Sequence, residues 1–231
     1  MSVISSPEAT AQLVLEALQQ RYPHPRTHLD AQNAWELLVA TVLAAQCTDA
    51  RVNTVTPELF RLWPTPAALA EAPIEELEAV IRPTGFYHSK AKNLLGAARR
   101  VRDIFDGQIP KSIEDLITIP GVARKTANVV LNTAFGQPTM AVDTHIFRLG
   151  NRTGLAVGKN VLEVEHRLVK VIPKEFIVDS HHWLILHGRY CCIARKPKCN
   201  ECIVSDVCNW PDRFEFGATR PVQIKNSKAE L

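Results

Sequence analysis

The residue most able to do covalent chemistry is a lysine that follows a Pro-Gly turn. Lys125 comes shortly after Pro120-Gly121 and directly after Arg124, at the start of an apolar-striped segment that predicts a helix. The positive end of the helix dipole and the neighbouring guanidinium both disfavour an ammonium there, so the sequence favours a free amine that can form a Schiff base. A solvated lysine that contacts phosphate is the ordinary alternative, and these residues alone leave both interpretations open.

The turn itself is a candidate phosphate-binding site. A helix that starts here exposes unpaired backbone N–H groups, which hold an anion without reading base sequence. A bare Pro-Gly pair is more often an ordinary interhelical turn, so this interpretation depends on the residues around it.

A second candidate is Asp143, which stands directly before another apolar-striped segment. An aspartate in this position is most often simply a helix N-cap. The amides that fix such a carboxylate also keep it ionised, so a capping Asp143 is still able to stabilise positive charge on a sugar or to accept a proton.

Five of the six cysteines crowd into the C-terminal part of the chain. In a reducing compartment such crowding favours a metal site over disulfides. Four of them show the spacing C-x6-C-x2-C-x5-C, and four thiolates suit either tetrahedral zinc or a cubane iron–sulfur cluster. A single C-x-x-C pair between solitary cysteines favours the cluster, and zinc remains the alternative. The four are Cys192, Cys199, Cys202 and Cys208.

The first loop of this cysteine segment carries three cations. We expect Arg195, Lys196 and Lys198 to form a basic rim that faces DNA phosphate. The whole chain has a formal net charge of +3, which leans towards an anionic partner but decides nothing alone.

The elements that must position these residues are helices. Apolar residues recur at helical spacing in most segments, and no segment sustains a two-residue alternation. Thr65-Pro66 and Ser112 supply start signals, and Gly136 supplies a stop signal. The sequence therefore predicts a mainly α protein of about ten helices. From about Gly217 the apolar pattern is lost, which predicts a frayed tail.

Length and composition exclude a membrane protein. The 231 residues suffice for a buried core, 46% of them are hydrophobic, and the apolar runs are too short and too interrupted to span a bilayer. The N-terminus has no features of a secretory signal, so we expect a cytoplasmic protein.

Together these segments resemble the endonuclease III family of the helix-hairpin-helix DNA glycosylase superfamily. The resemblance runs from about Pro23 to Cys208 and is most specific in residues 119–135, 142–145 and 181–190 and in the cysteine spacing. It implies an all-α, two-lobed fold with a six-helix barrel and an iron–sulfur cluster domain. We expect an N-terminal helix over 1–28 that packs with the cluster domain, a barrel over 29–137 with its hairpin at 119–125, a cluster domain over 138–211 and a tail over 212–231.

The resemblance also implies a bifunctional DNA glycosylase and AP lyase of base excision repair. Lys125 matches the family's nucleophile and Asp143 its catalytic aspartate, and the four spaced cysteines match the ligands of a [4Fe–4S] cluster. The expected partner is duplex DNA with oxidised pyrimidines or abasic sites, cleaved on the 3′ side by β-elimination. We expect a monomer that associates with the nucleoid when it is bound to DNA. The matching hairpin contacts are Gly121, Val122, Ala123 and Arg124.

Several positions bear on base extrusion. Gln46 matches a family residue that fills the gap left by a flipped nucleotide, and Phe86 stands where relatives commonly place a leucine wedge. Ala123 replaces the hairpin's usual second glycine, and Ala44 replaces a serine near the pocket of close relatives. Lesion preference therefore stays open, and the extra thiol Cys191, like Cys47, has no assigned role.

Two rival functions share parts of this pattern. An adenine mismatch glycosylase of the same superfamily lacks the lysine and needs a glutamate near the first barrel helix, where this chain has Ala44-Ala45-Gln46. A non-catalytic DNA-binding iron–sulfur protein is the other rival, and the intact Lys125 and Asp143 argue against it.

Overall fold

The computed structural model describes residues 7–23 and 27–219, and the part of the expected tail beyond residue 219 lies outside them. Within these ranges every regular element is helical. None of the described helices is long and apolar enough to cross a membrane. The twelve α-helices of the described chain are α1 (Pro7–Arg21), α2 (Ala34–Leu43), α3 (Asp49–Asn53), α4 (Thr56–Leu62), α5 (Pro66–Ala70), α6 (Ile74–Ile81), α7 (Tyr87–Ile104), α8 (Ile113–Leu116), α9 (Arg124–Phe135), α10 (Thr144–Thr153), α11 (Val161–Val171) and α12 (Ile177–Tyr190).

The all-α prediction is confirmed, although the helices are more numerous than the expected ten or so. Three of them, α3, α5 and α8, have only four or five residues, which is too short for an apolar stripe to reveal them. The start signals act as predicted, since the Thr65 and Ser112 side chains accept the Ala68 and Asp115 amides at 3.1 Å. Gly136 ends α9 in the left-handed conformation at φ 62°.

The chain divides into two compact units. The hairpin unit comprises described residues 27–141 and 177–182, and the cysteine unit comprises described residues 7–23, 142–176 and 183–219. Helix α12 therefore contributes its first residues to one unit and the rest to the other. The domain boundaries expected at residues 28, 137 and 211 stay a prediction.

The core of the hairpin unit surrounds α2. Every residue from Trp35 to Leu43 except Glu36 is buried, which is the pattern of a helix covered on all sides. Helix α2 packs against α7 and α9, and α7 also packs against α5 and α6. The hairpin of residues 119–125 contributes Ile119 and Val122 to this core. The turn is thus anchored from beneath by apolar burial.

The cysteine unit is built on α1, α10, α11 and the second part of α12. Trp183 is 1% exposed, and its indole Nε1 donates to the Tyr22 carbonyl at 3.0 Å. At Gly188 an added Cβ would lie 2.9 Å from the His145 Cβ, so only glycine allows α10 and α12 to approach this closely.

Part of the expected tail has regular structure. Pro211–Phe216 forms a 3-10 helix, and the Trp210 and Phe216 rings stack with centroids 5.5 Å apart. The aromatic pair gives this short helix apolar contacts, which explains why it is ordered despite its weak sequence pattern.

Candidate functional site

The hairpin presents polar residues above an apolar anchor. Ile119 is 2% exposed and Val122 is 5% exposed, whereas the residues around them face solvent. Ala123 is the N-cap of α9 and makes no side-chain cap hydrogen bond, because its methyl group has no acceptor. The start of α9 is therefore free of a built-in anion. The solvent-exposed residues are Gly121, Ala123, Arg124 and Lys125.

Gly121 has two structural reasons to be glycine. Its φ is +80°, in the left-handed region, and an added Cβ would lie 2.9 Å from the Asn93 Cβ on α7. The residue before it, Pro120, also lies against α7, because a Cβ added at Gly96 would lie 3.0 Å from the Pro120 ring. The turn is therefore held close to α7, which fixes where the amides of its exposed side lie.

A buried histidine faces the charge of Lys125 within the hairpin unit. His181 on α12 is 2% exposed, and its Nδ1 is buried without a hydrogen-bond partner. Burial lowers the pKa of His181 to about 3, and the positive charges of His182 and Lys125 add to this shift. His181 is thus a neutral imidazole at physiological pH. The sequence assigns it no role, because its only signal there is a histidine pair inside an apolar helix.

Asp143 is the N-cap of α10, as the sequence predicts. Its Oδ1 accepts the His145 amide at 2.9 Å and the Ile146 amide at 2.8 Å. Two backbone donors on one carboxylate oxygen fix its orientation. The carboxylate is half-buried, and its catalytic role remains a prediction.

Gln46 and Phe86 both stand in exposed turns of the hairpin unit with a left-handed backbone. Their φ values are 54° and 49°, and Asp106 is the other non-glycine residue of the described chain with positive φ. Phe86 is the N-cap of α7 and is 66% exposed. Strained backbone of this kind costs about 1–3 kcal/mol and is frequent at functional sites. The other variable position, Ala44, is the half-buried C-cap of α2.

The four spaced cysteines line one cavity in the cysteine unit. Together with neighbours such as His187 and Trp210 they enclose a cavity of about 20 Å³, and all four are half-buried free thiols. A tetrahedral zinc ion would hold its sulfur ligands about 3.8 Å apart. Among the described residues, no three of these four sulfurs lie within 4.8 Å of one another. The arrangement therefore fits a multi-iron cluster better than a single zinc ion.

Three of the four spaced thiols, those of Cys199, Cys202 and Cys208, have a raised pKa in the absence of a metal. Burial raises the pKa of Cys199 to about 11. The pKa of Cys202 rises to about 12 because of a hydrogen bond with Cys191 and because of burial. Burial also raises the pKa of Cys208. Bound metal cations reverse this balance by stabilising thiolates.

Helix α10 secures the cysteine segment through Arg152. Its guanidinium donates to the Ile193 and Ala194 carbonyls, each at 2.8 Å, and lies 4.1 Å from the centre of the Trp210 ring. The helix capped by Asp143 therefore also carries the main support of the metal-binding loop.

Two further groups lie on this segment. Arg195, Lys196 and Lys198 are exposed, and their contact with DNA phosphate stays a prediction. On the inner side, His187, Cys191 and Cys202 bring three ligand atoms within 4.8 Å of one another, a grouping that sequence spacing did not reveal.

Comparisons with known proteins identify the family. Residues 39–174 match the family of HhH-GPD superfamily base excision DNA repair proteins, and residues 192–208 match the iron-sulfur binding domain of endonuclease III. The second match begins at Cys192 and ends at Cys208. The chain is 50% identical over 203 residues to endonuclease III of Haemophilus influenzae and to that of Escherichia coli K12, which covers 88% of this chain and 96% of each relative.

A solved structure agrees with the sequence relatives. It is a trapped endonuclease III–DNA covalent intermediate, 42% identical to this chain, with a TM-score of 0.82. The match covers 87% of this chain and 95% of that one. The predicted superfamily, helical fold and iron–sulfur cofactor are confirmed by these matches.

Proposed function

The chain belongs to the endonuclease III family of the HhH-GPD superfamily, and is thereby a DNA glycosylase and AP lyase with a [4Fe–4S] cluster; from this premise we propose that it excises oxidised pyrimidines from duplex DNA with Lys125 as the nucleophile. The observation that carries the proposal is the setting of Lys125. Its side chain is exposed in the first turn of α9, a helix whose N-cap supplies no carboxylate.

The setting of Lys125 suits amine chemistry. The Lys125 side chain is exposed, so its amine is accessible to a nucleotide that has left the duplex. The free amine attacks C1′ of the damaged nucleotide, the bond from C1′ to the base breaks, and the base leaves with the bonding electrons and takes up a proton. Opening of the sugar ring gives an imine between Lys125 and C1′. A relative of this chain has been trapped on DNA as a covalent intermediate, which supports the same course here.

The second step cleaves the backbone. Loss of a C2′ proton from the imine expels the 3′ phosphate by β-elimination, and hydrolysis then frees Lys125. Asp143 is the acidic group assigned to assist this step, and its carboxylate is held in place by two amides. It stabilises positive charge as the base leaves, or accepts the proton that the lysine must lose.

DNA is held mainly through its backbone and then distorted. Gly121, Val122, Ala123 and Arg124 form the phosphate contact at the α9 N-terminus. Gln46 fills the gap left by the extruded nucleotide, and the exposed ring of Phe86 wedges into the duplex. The basic rim of Arg195, Lys196 and Lys198 adds phosphate contacts that weaken with salt. The protein acts as a monomer in the cytoplasm, on the nucleoid.

The cluster ligands are Cys192, Cys199, Cys202 and Cys208, the cysteines that line one cavity and span the matched iron-sulfur segment. When bound, the cluster supplies four metal–thiolate links that fix the loops between these cysteines. The basic rim lies on the first of those loops, which Arg152 also holds through the Ile193 and Ala194 carbonyls.

The test is incision of a panel of duplexes, each with one defined lesion, at a stated salt concentration. The panel holds thymine glycol, dihydrouracil, a hydroxycytosine, an adenine opposite oxidised guanine and a preformed abasic site. The proposal predicts base loss and 3′ nicking at the pyrimidine lesions, and nicking at the abasic site. Selective excision of the mismatched adenine would refute the substrate assignment.

A further inference from the structure

A buried lysine joins the turns that carry Gln46 and Phe86. Lys90 on α7 is 5% exposed, and its Nζ donates to the Leu43 carbonyl at 2.7 Å and to the Thr84 carbonyl at 2.8 Å. Leu43 is the last residue of α2 and is followed by the Gln46 turn. Thr84 precedes the Gly85-Phe86 turn, and the Lys90 amide also donates to the Phe86 carbonyl at 3.0 Å.

Stability alone does not call for a cation at this position. Burial lowers the pKa of Lys90, which shows that its charge is costly here. Apolar replacements of buried charges often leave proteins as stable or more stable, whereas buried charges fix geometry. The ammonium lies at the C-terminal end of α2, where the helix dipole favours a cation. It also holds the Leu43 and Thr84 carbonyls, which are 41 positions apart, at one nitrogen.

We propose that Lys90 is a positioning residue for base extrusion, which holds the Gln46 and Phe86 turns in the one geometry from which both side chains enter the duplex. This inference rests on the proposed roles of Gln46 and Phe86. Both residues keep a left-handed backbone, which persists only where the surroundings enforce it. Lys90 supplies that enforcement through the carbonyls directly before the two turns.

The test uses the holoenzyme and a duplex with 2-aminopurine beside the lesion, whose fluorescence rises when the wedge unstacks it. Lys90→Met is expected to lose this rise and to slow single-turnover excision roughly tenfold, on the scale of lost charged hydrogen bonds. Phe86→Ala should show the same loss. Lys92→Met, an exposed lysine on the same helix, is the matched control and should behave as wild type.

A double variant separates positioning from general damage. Lys90→Met should add little in a Phe86→Ala background, because the wedge is already gone. If Lys90→Met does not fold, Lys90→Gln, which keeps a donor for one carbonyl, replaces it with the same expected loss. A wild-type rise in 2-aminopurine fluorescence in either folded Lys90 variant overturns the proposal. So does a double variant in which Lys90→Met slows excision by the same further factor as it does in the wild-type background. Wild-type excision by Phe86→Ala would instead refute the wedge itself, and the positioning role with it.

The cysteine unit contains a second site on different residues. His187 Nε2 and Cys202 Sγ lie 3.4 Å apart, and zinc bonds of about 2.0–2.1 Å to nitrogen and 2.3 Å to sulfur separate such donors by about 3.5 Å. The Cys191 sulfur completes a group of three within 4.8 Å. His187 is 1% exposed, and its Nδ1 is buried without a hydrogen-bond partner.

We infer that the cluster-free chain binds one zinc ion at His187, Cys191 and Cys202. Two thiolates balance the charge of the ion, and the imidazole binds in its neutral form. Cys202 cannot serve both metals if it is a cluster ligand as proposed above, so zinc and the cluster exclude each other. Cys191 then has a role that the family spacing does not give it.

Metal counting on the full chain tests this site. The cluster of the purified holoenzyme is removed oxidatively with a chelator, Zn²⁺ is added, and bound zinc is measured by native mass spectrometry. Wild type and the control Cys47→Ser should retain one zinc ion, and Cys191→Ser should bind it at least about tenfold more weakly. Equal retention by Cys191→Ser, or no zinc in wild type, overturns the site. Loss of iron from the Cys191→Ser holoenzyme would also overturn it, because Cys191 would then be a cluster ligand.

Discussion

The N-termini of α9 and α10 differ in whether the protein itself supplies an acceptor for the unpaired amides of the first turn. Helix α10 carries its own anion, because the Asp143 carboxylate accepts the His145 and Ile146 amides. Helix α9 begins at Ala123, whose side chain accepts nothing, and follows with Arg124 and Lys125. The N-cap of α10 supplies a negative charge to the helix start, whereas the N-cap of α9 supplies none. The difference indicates which start is free to bind an external phosphate.

The comparison assigns different chemistry to each helix. At α9 the unpaired amides and the positive end of the dipole favour DNA phosphate. At α10 the amides hold the Asp143 carboxylate in a fixed orientation, in which it can stabilise positive charge. Variants at Asp143 and Ala123 change the charge at each helix start and therefore test this assignment.

The largest expected effect is on Asp143. Asp143→Asn keeps a side-chain acceptor for the two amides, so the free energy of unfolding should change by less than about 1 kcal/mol. Without the negative charge, excision should slow about 10²- to 10⁴-fold, the usual range for acid–base groups. Single-turnover kinetics and urea unfolding measure the two quantities.

A second N-cap serves as the control for Asp143. Asn160 caps α11 by accepting the Glu163 amide at 3.0 Å. Asn160→Ala should cost about 1 kcal/mol of stability and leave the excision rate unchanged. Wild-type kinetics in Asp143→Asn would show that this carboxylate only caps its helix.

The next largest effect comes from giving α9 the cap that α10 has. Ala123→Asp should raise the free energy of unfolding by about 0.5–1 kcal/mol, because its carboxylate accepts the first-turn amides. The same carboxylate should weaken DNA binding roughly tenfold, by occupying those amides and repelling phosphate. Fluorescence anisotropy at fixed salt measures the affinity. Ala123→Gly, which removes only a methyl group, should bind at least as tightly as wild type, and unchanged affinity in Ala123→Asp would contradict the phosphate assignment.

A smaller effect concerns the histidine near Lys125. His181 has a pKa of about 3 in the folded chain against 6.5 ordinarily. Above pH 6.5 it is neutral in both states, and as pH falls below 6.5 the unfolded chain binds a proton that the folded chain does not. Stability should therefore decrease with falling pH, by up to about 1.4 kcal/mol per pH unit from this group.

Urea unfolding between pH 7.5 and 5 checks this dependence. His181→Asn should flatten the slope, and His166→Asn, at an exposed position, should leave it unchanged. A slope that is identical in wild type and His181→Asn would mean that His181 is protonated in the folded protein.

The features that could be predicted from the sequence are the amphipathic helices and their start and stop signals. Features that depend on tertiary packing could not be predicted. The helical class, the caps at Thr65 and Ser112 and the stop at Gly136 are local, so they can be read from neighbouring residues. The one-turn helices α3, α5 and α8 are too short to show a period. They form because their apolar residues join a core that other helices complete.

The candidate site divides in the same way. Asp143 was recognisable as a cap because its partners are two and three residues away. The roles of Lys90 and His181 were not recognisable, because the Leu43 carbonyl is 47 positions from Lys90 and His181 is 56 positions from Lys125. A lysine with ordinary sequence neighbours gives no sign that it is buried. The approach of Cys202 to His187 and Cys191 depends on the fold of the loop between them, which their spacing alone does not show.

The central claim is that Lys125 forms a covalent imine with the damaged sugar, and borohydride trapping tests it most directly. Borohydride should link the wild-type protein to a duplex with thymine glycol or an abasic site, and Lys92→Gln should be trapped equally. Folded Lys125→Gln should give no trapped species and no nicking, while keeping much of its DNA affinity because phosphate contacts are spread over many groups. Trapping that persists in folded Lys125→Gln would contradict the account and move the nucleophile to another residue.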